Sequence, residues 1–375
     1  MYHFFTSNVA KMAKSKKRRS RPQQSANKLP ITRYGVGLDM SKDDFLVRML
    51  AERTDRSTKT VGSRKFKNNA LGHQQLVAWV LKRYKTPGVA LLFLMEVTGC
   101  YHENLLYYLY ENGYQVHLAL GKRTKAFMKS EGYKSKTDKI DAHGLALMVL
   151  QKQLSPWSPA SKHILRIRQI LRLRRDLVNQ RTRFTNKLKA LLAGYLKEDF
   201  VRETLERNIA SLNEQVDMLE KKAFELLKQD EELHQHVKRI ADSVPGLGTL
   251  TVLSVLAETN GFKNFSSLKQ LISYAGYDVV QNQSGKYQGQ TRISKQGNAR
   301  IRAAMHMASV AHIRGKSGPI YQLFERLMAR NGGIYKKAAV AVQRKLLRLI
   351  YTLWKNNTSY DPQYHLKQKA VALTN

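Results

Sequence analysis

Four acidic residues stand out in a chain dominated by cations: Asp39 in Tyr34-Gly-Val-Gly-Leu-Asp, Glu96 in Leu91-Leu-Phe-Leu-Met-Glu, and Asp138 with Asp141 in Thr137-Asp-Lys-Ile-Asp-Ala. The first two each end an apolar run of strand length. The last two are three residues apart, which places them on one helix face near a positively polarised N-terminus, with Thr137 a suitable N-cap. Brought together, four carboxylates supply the oxygen donors that Mg²⁺ prefers, with Mn²⁺ as a substitute. Two such ions about 3.5–4 Å apart activate a nucleophile and stabilise the leaving oxygen of an in-line displacement at phosphorus. The expectation is a metal-dependent phosphodiester site built from Asp39, Glu96, Asp138 and Asp141. The plainer alternative is that Asp138 and Asp141 complement a helix dipole, Asp39 shares a turn with Asp43 and Asp44, and Glu96 merely ends a strand.

A second candidate is Ser294, which lies among Arg292, Lys295, Arg300 and Arg302 and just before a helical segment. Cations and the first amides of a helix favour an anionic phosphate beside the hydroxyl. A serine is a weak nucleophile unless activated, and no sequence neighbour is an obvious base, so a metal or a distant carboxylate would have to assist. The alternative here is a capping serine in a basic turn.

The elements that must position the acids read as an α/β sheet. Strand-like runs at 34–38, 45–51 and 60–66 form an antiparallel meander. A helix over about 69–84, a strand over 89–97, a helix over about 102–112 and a strand over 114–120 follow. Three strands and then alternating helix and strand match an RNase H-like fold, in which Asp39 and Glu96 end neighbouring strands and the helix from Thr137 brings its two acids to the sheet edge.

From 161 to 240 the pattern changes to two long helical arms broken around Gly194 to Asp199. In the second, Leu205, Ile209, Leu212, Val216, Leu219, Ala223, Leu226, Leu233, Val237 and Ile240 keep a 4-3 repeat interrupted only at Asp230, the seam of a coiled coil. Each arm spans about 45–55 Å at about 1.5 Å per residue. The first arm exposes Arg172, Arg174, Arg175, Arg181 and Arg183, which suits a nucleic-acid backbone, and the seam suits a dimer. After it, Val244-Pro-Gly-Leu-Gly is a turn between helices in the manner of a helix-hairpin-helix element, with Gly246 and Gly248 allowing close approach of a phosphate.

Lys and Arg number 65 against 28 Asp and Glu, a net charge of +37, which points to a polyanionic partner. With 375 residues and 42% hydrophobic composition the chain builds a real core, in two or three domains. The single cysteine, Cys100, excludes an internal disulfide and any cysteine-rich zinc site and is read as a packing residue. No apolar run reaches the roughly 20 residues of a membrane span, so a cytoplasmic protein is expected, without membrane partners. The N-terminal cluster Lys16-Lys17-Arg18-Arg19 reads as a disordered basic tail, and Met12 is an alternative start. The expected organisation is a basic tail over 1–33, the acid-bearing α/β domain over 34–158, the coiled-coil arm over 159–240, a mostly α C-terminal domain over 241–358 that carries Ser294, and a polar tail over 359–375.

Six segments together carry a resemblance: Gly37-Leu-Asp39, Glu96-Val-Thr-Gly, Lys136-Thr-Asp138-Lys-Ile-Asp141-Ala, Val244-Pro-Gly-Leu-Gly, Tyr274-Ala-Gly and Arg292-Ile-Ser294-Lys-Gln-Gly-Asn, with Tyr360-Asp-Pro near the end. Over roughly 34–362 the chain resembles the DEDD-type insertion-sequence transposases, bridge-RNA-guided serine recombinases related to the Piv-type DNA invertases. The resemblance implies a RuvC-like domain whose four acids bind Mg²⁺, a coiled coil, and a transposase domain whose Ser294 forms a phosphoserine link to DNA. It also implies donor and target DNA, an element-encoded guide RNA whose pairing reads sequence, dimers or tetramers, and a nucleoid-associated prokaryotic protein. Tyr277-Asp-Val-Val departs from the family pattern at a loop expected to contact DNA. Two other readings compete: a junction-resolving endonuclease whose acids activate water, and a non-enzymatic packaging protein suggested by charge alone.

Overall fold

The computed structural model describes residues 29–364 except Thr98, Lys136, Lys286 and Asn331, so the basic tail and the last residues lie outside the described residues. Two compact units meet between Pro156 and Trp157.

In the first unit, β1 (Ile31–Met40), β2 (Asp44–Arg53) and β3 (Thr58–Lys67) form the expected meander. They are followed by α1 (Ala70–Leu81), β4 (Ala90–Val97), α2 (Glu103–Glu111), β5 (Gln115–Leu120), α3 (Gly121–Ser130) and α4 (Asp138–Gln151). The sheet order is β3-β2-β1-β4-β5. β1 is antiparallel to β2 and parallel to β4, and β4 is parallel to β5. This is the topology of an RNase H-like fold, read from the strands themselves.

Strand β1 is buried from Tyr34 to Leu38, on both faces of the sheet, which is why it reads as a continuous apolar run rather than an alternation. On one face α4 lies directly on its backbone. A Cβ on Gly35 would come within 2.5 Å of the Ala146 carbonyl oxygen, and one on Gly37 within 2.1 Å of the Ala142 oxygen. Any side chain at either position would therefore push the helix off the sheet. Leu145 and Ala146 of α4 share a buried cluster with Leu94 of β4, and each fully buried leucine contributes roughly 1.5–3 kcal/mol. The start of α4 is fixed by Thr137, whose hydroxyl accepts from Ile140 N–H at 3.3 Å.

The second unit begins with the arm. Helix α5 (Lys162–Ala193) turns at Gly194 into α6 (Asp199–Lys228). The distal seam is small: Leu177, Leu212 and Val216, flanked by Val178, Phe184 and Leu219. The chain then breaks at Asp230, whose carboxylate caps α7 (Glu231–Ser243) by accepting from Leu233 N–H at 3.1 Å. Leu233, Val237 and Ile240, which continue the heptads in sequence, accordingly belong to the C-terminal core, as do Ile164, Ile167 and Leu171 at the arm's base. The arm and the C-terminal helices thus share one core.

The remaining elements are α8 (Thr249–Thr259), α9 (Leu268–Tyr274), β6 (Val279–Val280), β7 (Gln283–Ser284), β8 (Tyr287–Gln288), β9 (Arg292–Ile293), α10 (Ala299–Gly315), α11 (Gly318–Arg330) and α12 (Tyr335–Asn356). The short strands pair as β6 with β9 and β7 with β8. Among the described residues, no helix is long and apolar enough to cross a membrane.

Candidate active site

The strand register brings Asp39 and Glu96 together. The parallel pairing of β1 with β4 ends at Leu38 opposite Met95, so the two acids occupy the next rung, at the C-terminal ends of adjacent strands. They share the face on which α4 packs: Glu96 is two residues beyond Leu94, and Asp39 two beyond Gly37. The helix runs antiparallel to β1, because Gly35 meets Ala146 and Leu150 whereas Gly37 meets Ala142 and Leu145. One further step of two residues places Asp39 opposite the first turn of α4, which carries Asp138 and Asp141. Asp39 is therefore a strand residue and not part of a turn with Asp43 and Asp44; the turn acid is Asp44, which pairs with Lys65 at 2.9 Å.

The individual carboxylates are held differently. The Glu96 carboxylate lies against Gly121, the first residue of α3, with Oε1 2.6 Å from where a Cβ would stand. Asp138 is exposed, and its charge reaches Lys65, whose ammonium is held above its usual pKa mainly by the bond to Asp44 and to a smaller extent by Asp138. Among the described residues, no three His, Cys, Asp or Glu side chains close into a group that would enclose a metal ion. Asp39 and Glu96 end adjacent inner strands on the face that meets the first turn of α4, which carries Asp138 and Asp141, and carboxylates are the oxygen donors a hard divalent cation takes. Cys100, expected to be a packing residue, is instead exposed, because it sits in the turn that leaves β4.

Ser294 follows β9 in the second unit and is half-buried. Main-chain bonds hold its loop: Ser294 N–H donates to the Asp278 carbonyl at 2.8 Å, Lys295 N–H to that of Gly276 at 3.0 Å, and Asn298 N–H to that of Tyr274 at 2.7 Å. Lys295 is left-handed at φ 52°, and a Cβ on Gly297 would stand 2.3 Å from the Tyr274 oxygen. The Tyr274-Ala-Gly and Ser-Lys-Gln-Gly-Asn segments are therefore two halves of one backbone fitting. The serine hydroxyl accepts from Gln296 N–H at 3.3 Å. Among the described residues, no carboxylate or imidazole is hydrogen-bonded to it.

Several residues expected to face nucleic acid also have partners within the protein. Arg172 makes a two-pronged bond to Glu258 at 2.7 and 2.9 Å. Arg174 donates to Glu220 at 2.6 Å, Arg181 to Asn213 at 2.8 Å, and Arg302 to the carbonyls of Ala275 and Gly297 at 2.9 and 3.2 Å. A guanidinium whose donors meet a carboxylate or carbonyls orders the protein before it meets any ligand. Gly246 is left-handed at φ 78° and its missing Cβ makes room for the His312 ring at 3.0 Å, while Gly248 faces open space. Arg183, Arg292, Lys295 and Arg300 are exposed, and Arg175 is half-buried. A cavity of about 760 Å³ beside the serine strand adds Lys336, Lys337 and Arg344 to Arg292 and Lys295, over a floor that includes Tyr277 and Val340. Sequence reasoning missed Glu258 and Gly121, since neither an isolated acid in an apolar helix nor a glycine after a strand carries a spacing signal.

An RNase H-like sheet with carboxylates at its strand ends, in a chain of such positive charge, belongs to an enzyme of DNA strand breakage. Residues 36–197 match a family model for DEDD transposases of the IS110 type, described as "Transposase", and residues 238–323 match one described as "Transposase IS116/IS110/IS902 family". The chain belongs to this transposase family. It is 28% identical over 336 residues to the pilin gene-inverting protein of Moraxella bovis, covering 88% of this chain and 98% of that one. It is 24% identical over 273 residues to the transposase for insertion sequence element IS1111A of Coxiella burnetii, covering 66% and 73%. Two solved structures each match 33% of this chain over 99% of their own: Thermus thermophilus RuvC, at 14% identity and TM-score 0.26, and T. thermophilus RuvC in complex with Holliday junction substrate, at 12% and 0.27. The fold assignment stands on the strand order given above.

Proposed function

We propose that this transposase cuts and rejoins DNA through a phosphoserine link at Ser294, with Asp39, Glu96, Asp138 and Asp141 holding Mg²⁺. The Ser294 oxygen forms a bond to the scissile phosphorus as one sugar oxygen leaves and takes up a proton; rejoining is the reverse, a sugar hydroxyl displacing the serine. The bound ion supplies charge neutralisation at the phosphate. Mg²⁺ keeps several waters and takes few carboxylates, so an open group of acids suits it better than a closed cage would.

The observation that carries this reading is the serine loop. Ser294 is fixed by main-chain bonds on both sides, exposed Arg292, Lys295 and Arg300 flank it in sequence, and among the described residues its hydroxyl is engaged only by a backbone N–H. A phosphate beside it would meet these cations. The same cations grip DNA backbones without reading sequence, which leaves sequence to a guide RNA paired with donor and target. The hairpin tip favours assembly of dimers or tetramers, because Tyr195, Leu196 and Phe200 are exposed together there, at 106, 76 and 69%.

The deciding experiment incubates the protein with RNA from the flanks of its element, donor and target DNA and Mg²⁺. The expected result is a covalent protein–DNA band that is lost in Ser294→Ala and on chelation, is reduced without RNA, and forms on a species larger than a monomer. Cutting without an adduct, retained in Ser294→Ala, would instead make the protein a water-activating endonuclease of the junction-resolving type. A band indifferent to RNA would remove the guide, and monomers alone would remove the assembly.

A further inference from the structure

Glu258 is a buried acid that this reading does not use. It is 8% exposed and sits one residue from the end of α8. Both of its oxygens accept hydrogen bonds. Arg172, on the arm helix α5, donates Nε to Oε1 at 2.7 Å and Nη2 to Oε2 at 2.9 Å. Oε2 also accepts from Asn298 Nδ2 at 2.7 Å. Burial pushes the Glu258 carboxyl up, but the bonds from Arg172 and Asn298 outweigh it and hold the group below the usual carboxylate range.

Asn298 is the residue through which the serine loop ends. Its Oδ1 accepts from the N–H groups of Arg300 at 2.9 Å and Ile301 at 3.2 Å, capping α10. Its own N–H donates to Tyr274, whose hydroxyl in turn donates to the Glu258 carbonyl at 3.4 Å. An asparagine that caps with its oxygen must turn its NH₂ the other way, and a buried NH₂ needs an acceptor. Glu258 Oε2 at 2.7 Å is the nearer acceptor, and the Tyr274 hydroxyl at 3.4 Å is the other. The carboxylate therefore fixes which way the Asn298 amide faces, and with it the junction of Ser294–Gly297 to α10.

We infer that Glu258 is a positioning residue: through Arg172–Glu258–Asn298 it pins the Ser294 loop to the base of the arm. The inference rests on the serine reading for its consequence in catalysis, though not for its geometry. Arg172 is a side-chain contact through which displacement of α5 reaches the loop, and this carboxylate joins the arm to the Ser294 loop through polar bonds. Its work is orientation, and Glu258 itself makes no contact with Ser294.

The direction of the Glu258–Asn298 bond provides the test. In Glu258→Gln the new NH₂ must face a donor, either the NH₂ of Asn298 or the Nε–H of Arg172, and turning Asn298 over to relieve the first removes the cap of α10. In Asn298→Asp the cap survives, since Asp caps as well as Asn, but two carboxylates meet. In the double variant the Gln NH₂ donates to the Asp carboxylate, which still caps. Each single variant should slow formation of the Ser294–DNA adduct by about 10-fold or more, the size expected for one buried polar group left unpaired. Each should also speed hydrogen exchange in peptides spanning 292–302. The double variant should return both to within about threefold of wild type, which a general loss of folding would not do. Wild-type rates in the single variants, or a double variant no better than the worse single, would overturn the inference. A wild type that forms no adduct would overturn the serine reading alone, and exchange in 292–302 would then decide whether Glu258 pins the loop.

Discussion

Gly121 shows how closely Glu96 is fitted. The Glu96 carboxylate rests where a Cβ at position 121 would be, 2.6 Å from Oε1 and 3.1 Å from Cδ. It lies at the start of α3, where unpaired N–H groups favour negative charge. Because the atoms met are the end of a flexible side chain, Gly121→Ala should move the carboxylate and leave the backbone where it is. Alanine is the better helix former by about 1 kcal/mol, so stability should hold or rise slightly. Activity should move the other way: displaced supporting groups at metal sites cost about 10–100-fold in metal affinity or rate. Titrating Mg²⁺ against strand cutting should show a half-saturation raised by about tenfold, with an unchanged or higher melting temperature. An unchanged Mg²⁺ requirement would mean that Glu96 does not hold the ion from this position.

Elements were more legible in the sequence than what they pack against. The heptads from Leu205 to Ile240 report a stripe that is buried, and periodicity does not say by what. The structure divides that stripe between Leu219 and Ala223: Leu212 and Val216 pack with Leu177 of α5 in the distal seam, whereas Ala223, Leu226, Leu233, Val237 and Ile240 belong to the C-terminal core, with the chain breaking at Asp230 within that second part. Asp230→Ala should cost about 1 kcal/mol, the worth of an N-cap, seen as a lower urea midpoint with an unchanged slope. No change in midpoint would show the break to be held by packing alone. The sheet, by contrast, was readable nearly to its ends, because β1 and β4 are apolar runs closed by a single acid, and the Thr137 cap marked α4. Helix α3 was not foreseen: Gly121-Lys-Arg-Thr-Lys-Ala-Phe-Met-Lys-Ser buries only Thr124, Phe127 and Met128, too few to show a period. The Glu258 bonds were invisible for another reason, since Arg172 and Asn298 lie 86 and 40 residues away from it.

Across the whole molecule, acid should not act evenly. His73, His102 and His117 all belong to the first unit, and burial lowers the pKa of each; Glu103 offsets this slightly at His102, and backbone acceptors at Leu154 and Ser155 at His117. Their surroundings explain why charge is unwelcome. Among the described residues, the Nδ1 of His102 and the Nε2 of His117 are buried without a hydrogen-bond partner. His117 Nδ1 already faces the Ser155 carbonyl at 3.1 Å, so a second proton would have nowhere to donate. His73 Nε2 faces Asn68 Oδ1 at 3.0 Å. With folded pKa values below the unfolded value near 6.5, the unfolded chain binds more protons in the interval between them. Stability is therefore fully present above about pH 6.5 and declines as pH falls through that window. Hydrogen exchange at pH 7.5 and 5.5, corrected for intrinsic rates, should show α1, α2 and β5 losing protection at the lower pH while α8 and α10 keep theirs. The Glu258 network should outlast them, because its carboxylate stays charged to below the usual range. Equal loss in both units, or first loss in α8 and α10, would mean that the buried histidines do not govern the acid response.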